Sequence, residues 1–230
     1  LDPLPVTIAP RKFDGVNVLI FDLDGTLIDS KLDLALAVNA MLKFSGRPAS
    51  THEEIYSLVG NGAPTLVRRA LGESATDAEV DASLAYFLSY YREHMLDNTV
   101  LYPGVMECLG AVEKYSMAVL TNKPVRFSVA IIEGLGIAKY FRYVYGGNSF
   151  EKKKPDPIGV ETLLRDFKAS PTQAMVIGDS DVDIQTARNA GTWACGVTYG
   201  LGSERLPECG PDLLLDNLTE LLKILRSGAL

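Results

Sequence analysis

The strongest constraint on this chain is an apolar run that ends in two acids and turns at once. Residues 16–21 are largely apolar and lead directly into Asp22, Leu23, Asp24, Gly25 and Thr26. In an extended segment, side chains two positions apart point to the same side. Asp22 and Asp24 therefore share one side, where like charges raise each other's pKa. A fold tolerates such a pair where a cation or a reaction uses it. Gly25 permits a sharp turn immediately afterwards. Acids at 22 and 24 with Gly25 and Thr26 would arise by chance in about one chain in a few hundred of this length, at roughly 5–7% usage per residue.

Other apolar runs repeat the pattern. Residues 117–120 end in Thr121, Asn122, Lys123 and Pro124, and residues 174–177 end in Gly178, Asp179, Ser180, Asp181, Val182 and Asp183. Residues 143–145 are a weaker strand candidate, followed by Gly146 and Gly147, and 193–197 form a fifth. Helical periodicity fills 105–113, 125–135, 157–167 and 184–190. Strands alternating with helices predict βαβ units and an α/β fold with a parallel sheet. In open parallel sheets, ligands sit beyond the carboxyl ends of the strands. The clusters at 22–26, 121–124 and 178–183 are thus expected to converge, with a fourth around Lys152, Lys153 and Lys154.

Residues 31–99 break the alternation, with helical patterns and no convincing strand. The expected organisation is a Rossmann-like core of residues 1–30 plus 100–230, interrupted by an all-helical cap at 31–99. An insertion tethered at two nearby points is well placed to act as a lid. Within it, Tyr86, Phe87, Tyr90 and Tyr91 lie at helical spacing and read as core. His52 and His94 read as surface residues without partners. The proline-containing stretch at 1–15 reads as an irregular extension, and the chain opens on Leu rather than Met, as a processed or trimmed polypeptide does.

Composition excludes some classes. Lys plus Arg number 22 against 29 Asp plus Glu, a formal charge of −7, and the pI is about 4.9. Nucleic acid and anionic membranes both favour a basic patch, so neither is an expected partner. No stretch reaches about 18 apolar residues and no signal-type segment leads the chain. Cys108, Cys195 and Cys209 are widely spaced, which suits reduced thiols in a cytoplasm. Cys195, in an apolar run, reads as core. Monomer and homodimer both remain open.

The ordered clusters resemble the haloacid dehalogenase superfamily of phosphatases, in its phosphoglycolate phosphatase-like branch. Asp22 to Thr26 match the family's Asp-x-Asp-Gly-Thr motif, and Thr121 matches the Thr or Ser that closes a strand. Lys154 before Pro155 matches the lysine motif. Gly178, Asp179 and Asp183 match the last acidic motif. The resemblance runs from about residue 16 to 225.

It implies that Asp22 is the nucleophile, forming an aspartyl-phosphate, and that Asp24 is the general acid and base. It implies Mg²⁺ held by the Asp22 carboxylate, the Asp24 carbonyl and Asp179, with Asp183 orienting a metal-bound water or binding directly. Thr121 and Asn122 would contact phosphate, and Lys154 would stabilise its oxygens together with Asp22. In the cap, Gly60 and Gly62 precede a helix whose N–H groups suit an anion, and Arg68 is expected to read a substrate carboxylate.

The implied activity is Mg²⁺-dependent hydrolysis of a small phosphorylated metabolite, 2-phosphoglycolate first. Pyrophosphatase, nucleotidase, and sugar-phosphate phosphatase or mutase activities fit the same motifs. A non-catalytic phosphate-binding module fits less well.

Overall fold

A computed structural model describes residue 13 and residues 15–227; the N-terminal extension expected at 1–15 falls largely outside them. The elements run β1 (Val18–Phe21), β2 (Ile28–Asp29), α1 (Lys31–Phe44), α2 (His52–Tyr56), α3 (Ala63–Leu71), α4 (Asp77–His94) and β3 (Val100–Leu101). They continue with α5 (Val105–Ala111), β4 (Ser116–Leu120), α6 (Val125–Gly134), β5 (Tyr143–Tyr145) and α7 (Ile158–Phe167). The last are β6 (Ala174–Gly178), α8 (Asp181–Ala190), β7 (Trp193–Val197), α9 (Leu206–Cys209), β8 (Leu213–Leu215) and α10 (Glu220–Ser227).

Six strands form one parallel sheet in the order β5-β4-β1-β6-β7-β8. All four residues of β1 are buried, as expected of a strand covered on both faces. Alternate side chains go to opposite layers: Leu19 and Phe21 join one apolar cluster, Val18 and Ile20 the other. β4 and β6 divide the same way, with Met117, Val119, Met175 and Ile177 on the first side. That first cluster continues without a break into the helical segment, through Leu34, Met41, Phe87 and Tyr91. Phe87 and Tyr91 are thus core. Tyr86 and Tyr90 instead lie half-buried on the outer side, in a ladder that runs from Phe44 to His94.

Residues 31–94 supply only helices. Helix α4 starts at a reciprocal cap in which Thr76 accepts from the Glu79 N–H and Glu79 accepts from that of Thr76. Three strands were not legible in the sequence. β8 is only three leucines, and β2 and β3 are two residues each, too short for any periodicity. β2 and β3 nevertheless matter. They pair antiparallel, Ile28 with Leu101 and Asp29 with Val100, and so bring the two ends of the helical segment together.

Asp33 locks that crossing. It is buried, and its carboxylate accepts from the Asn98 and Thr99 N–H groups, the Asn98 amide and the Thr99 hydroxyl at 2.7–3.1 Å. Among the described residues, no helix is long and apolar enough to cross a membrane.

Asp33→Ala would strand several of these donors. At about 1–3 kcal/mol for each buried unsatisfied group, the expected loss is about 3 kcal/mol or more. Urea denaturation measures it, as a lower midpoint at unchanged slope. A loss within a few tenths of a kcal/mol would show that the crossing does not depend on Asp33.

Candidate active site

The central strands fix where the acids meet. Phe21 pairs with Val119 on one side and Ile177 on the other, and the Asp22 N–H donates to the Ile177 carbonyl at 2.8 Å. The loops after β4, β1 and β6 therefore emerge side by side. The chain runs outward from β1 to β4 and β5, then crosses back to β6, so these loops flank a topological switch point. The convergence expected from the sequence is present.

Lys154 sits between Asp22 and Asp183, buried. Its Nζ lies 2.9 Å from Asp22 Oδ1 and 2.5 Å from Asp183 Oδ1. The second Asp183 oxygen accepts from the Ser180 N–H and hydroxyl. Asp179 accepts from the Thr26 hydroxyl at 3.2 Å and the Gly202 N–H at 3.0 Å, and Tyr199 donates to the Thr26 carbonyl. One oxygen from each of Asp22, Asp179 and Asp183 lies within 4.8 Å of the others.

The charges are out of balance. Burial raises Asp22 to about 6 against the pull of Lys154, and the Asp183 charge adds to the rise. Burial raises Asp179 to about 8, helped by the charges of Asp183 and Asp22. For Lys154, burial opposes the charge, yet Asp183 and Asp22 overcome it and raise its pKa.

These residues fit a divalent cation. Asp22 Oδ1 is buried, and although it faces the Lys154 ammonium, no donor meets it with hydrogen-bond geometry. A buried carboxylate beside a second acid, with a single ammonium against it, has the hard-oxygen chemistry that Mg²⁺ takes. Asp22 and Asp179 line the chamber, and Asp183 supplies the third carboxylate of the cluster.

The chamber has a volume of about 80 Å³ and lies between the strand ends and the helical segment. Gly60, Gly62, Thr121 and Asn122 all line it. The Thr121 N–H donates to the Tyr145 carbonyl and is spent on the sheet. Its hydroxyl oxygen accepts from the Lys123 N–H, which leaves the O–H to donate. Asn122 ties the two halves together, donating to the carbonyls of Gly60 and Lys154. Gly62 approaches the Asn122 carbonyl so closely that a Cβ would crowd it, at φ +82°.

Arg68 corrects an expectation. It does not line the chamber; it pairs with Asp77 at 2.5 Å on the outer surface and donates to the Ala75 carbonyl. The N-terminal turn of α4 lies beside it and claims the guanidinium. His94 also departs from expectation, with Asp97 as a partner at 2.8 Å. Lys152 is exposed and pairs with Asp156, as a solvated lysine does.

Three residues of the site were not among its sequence candidates. Lys123 Nζ is 3.0 and 3.2 Å from the two Asp24 carboxylate oxygens and donates to Tyr91 Oη at 2.8 Å. Ser30 donates to the same Asp24 carboxylate at 2.5 Å. Burial opposes the charge on Lys123, but Asp24 and Tyr91 outweigh it and raise its pKa. Burial raises Tyr91 to about 12, so its hydroxyl keeps its proton at neutral pH. The signal for Lys123 was its place in the cluster after β4. Tyr91 gave none, because a core aromatic and a core aromatic with a working hydroxyl look alike in sequence.

A parallel sheet with catalytic-type acids at its switch point and helices inserted after its first strand defines a Rossmann-like hydrolase. Residues 19–197 match the model of the haloacid dehalogenase-like hydrolases, and the chain belongs to that family. It is 42% identical over 215 residues to a phosphoglycolate phosphatase of Pseudomonas putida, covering 90% of this chain and 78% of the relative. It is 37% identical over 223 residues to a phosphoglycolate phosphatase of Vibrio parahaemolyticus, covering 93% and 98%. The crystal structure of a predicted phosphoglycolate phosphatase from Haemophilus somnus matches with TM-score 0.87 at 34% identity, over 91% of this chain and 98% of that one. A subfamily IA hydrolase of the superfamily from Geobacter sulfurreducens shares the fold at TM-score 0.71 and 18% identity, over 92% and 97%.

Gly25 tests how tightly the site is packed. Its φ is +87°, and a Cβ there would overlap the Asp179 carboxylate. Gly136 has φ +73° with open space around its Cβ position. Gly136→Ala should therefore carry only the backbone strain, about 1–2 kcal/mol, and keep full activity. Gly25→Ala should add displacement of Asp179 and lose hydrolytic activity. Thermal unfolding and steady-state assays of both variants check this; equal activity in the two would mean that Asp179 can move without consequence.

Proposed function

We propose that this chain is a Mg²⁺-dependent phosphatase that hydrolyses a small phosphate monoester, 2-phosphoglycolate first, through an aspartyl-phosphate on Asp22. The observation that carries the reading is the Asp22 oxygen itself. Asp22 lines the chamber, its Oδ1 is buried 2.9 Å from the Lys154 ammonium, and its carboxylate lies in one cluster with Asp179. The names of the relatives support the substrate class.

The chemistry follows from the residues. The Asp22 carboxylate attacks phosphorus, the bond to the leaving oxygen breaks, and Asp24 supplies that oxygen with a proton. Water then attacks the phosphoryl group, Asp24 takes its proton, and Asp22 leaves as a carboxylate. Lys154 holds Asp22 in place and offers positive charge to the phosphoryl oxygens. The Thr121 hydroxyl donates to one of them. Mg²⁺ held by Asp22, Asp179 and the Asp24 carbonyl would neutralise charge between nucleophile and phosphate.

Residues 31–99 form the cap in this reading, and the described residues of 1–30 and 100–230 form the core. The chamber, about 80 Å³, is walled by residues of both segments. That favours a small leaving group such as a two-carbon acid. Three unpaired thiols favour a reducing compartment such as the cytoplasm.

EDTA should abolish phosphate release and Mg²⁺ should restore it; full activity in metal-free protein would reject the metal. Asp22→Asn is nearly isosteric but cannot attack, and should lower kcat by about 10³-fold or more while the thermal midpoint holds. Near-wild-type turnover by that variant would remove Asp22 from its role. A panel of 2-phosphoglycolate, pyrophosphate, nucleoside monophosphates and sugar phosphates ranks substrates by kcat/KM, and a different leader would replace phosphoglycolate.

A further inference from the structure

The chamber is poor in positive charge. Among the described residues its lining holds two cations, Lys154 and Lys123. Lys154 is committed to Asp22 and Asp183. Much of the rest of the wall is apolar, with Leu34, Val59, Leu66, Phe87 and Phe127. A charged group on the leaving side of a substrate therefore has one ammonium to meet, Lys123.

Lys123 has a donor to give. An ammonium carries three N–H bonds. The two oxygens of the Asp24 carboxylate subtend a narrow angle at Nζ, so one N–H serves both. Tyr91 Oη takes a second, and a third remains. Tyr91 accepts from Lys123, which leaves its own O–H to donate. Lys123 also stands in the right place. It touches Asp24, the group that would protonate the leaving oxygen, and in a phosphorylated 2-hydroxy acid the carboxylate is one carbon from that oxygen.

We infer that the Lys123 ammonium and the Tyr91 hydroxyl together receive a carboxylate on the leaving group, so that the chamber selects phosphate esters of short hydroxy acids. This rests on the phosphatase reading above and names the residues that give it specificity. The apolar wall strengthens the single charge, since little water screens it. It also leaves Lys123 under-satisfied when the carboxylate is missing, which penalises uncharged analogues.

The test compares kcat/KM for 2-phosphoglycolate with that for ethyl phosphate, which replaces the carboxylate by a methyl group. The wild-type ratio should be about 10² or more. Lys123→Met should bring it to within about tenfold of unity, Tyr91→Phe should lower it several-fold, and Lys123→Arg should retain much of it. The ratio is the readout because loss of the Lys123–Asp24 contact slows both substrates alike. For a variant that folds without turning over, binding of 3-phosphonopropionate against propylphosphonate gives the same comparison. If the wild type shows no preference, the phosphoglycolate assignment and this inference fall together. If it shows the preference and Lys123→Met keeps it, this inference alone falls.

Discussion

The ion pairs of Lys154 hold the site together, and much of the structure exists to make them possible. One ammonium, almost without exposure, faces Asp22 from the end of β1 and Asp183 from the start of α8. Removing one partner of such a buried pair strands the other charge, at about 3–5 kcal/mol. The pairing of β1 with β6 sets the distance between the two acids. Gly178 lets the Asp183 carboxyl come close, because a Cβ there would overlap it. Gly200 does the same for Asp179. Sheet register and missing side chains thus concentrate negative charge that isolated loops would spread apart.

That concentration is unstable by design of the charges alone. Three carboxylates cluster where one ammonium, Lys154, meets Asp22 and Asp183, and Asp179 rises to about 8 while Asp22 rises to about 6. Both shifts have burial as their first cause and neighbouring acids as a second source of the rise. A cation relieves both causes together, since it substitutes for lost hydration and for the missing positive charge. The same crowding would let the proposed nucleophile, metal site and phosphate site share one small volume.

The sheet and its acids were legible because both signals are local. A buried strand reads as an apolar run, and a polar cluster at its end reads as a loop with work to do. The strands 143–145 and 193–197 were read with the bounds they have in the structure. Contacts that join distant segments were not legible. Lys123 meets Tyr91 across 32 residues and Asp24 across 99, and Asp33 meets Thr99 across 66. Arg68 was misplaced for the same reason, since Asp77 claims it from the first turn of the next helix. A motif says which side chains are chemically able; only packing says which of them face the chamber.

The helical segment adds a constraint that the core lacks. It joins the sheet through one tight crossing, at β2, β3 and Asp33. Its polar contacts with the core at the chamber are few: Gly60 with Asn122, and Tyr91 with Lys123. Both core partners belong to the same loop after β4. Any shift of α4 away from that loop would break the Tyr91 contact and admit water beside Asp24. Water would weaken every charge in the site at once, because attraction between fixed charges falls as the local dielectric rises. Closure of the helical segment and the strength of the electrostatics are therefore one physical condition. A substrate group that bridges Lys123 and Tyr91 would favour both together.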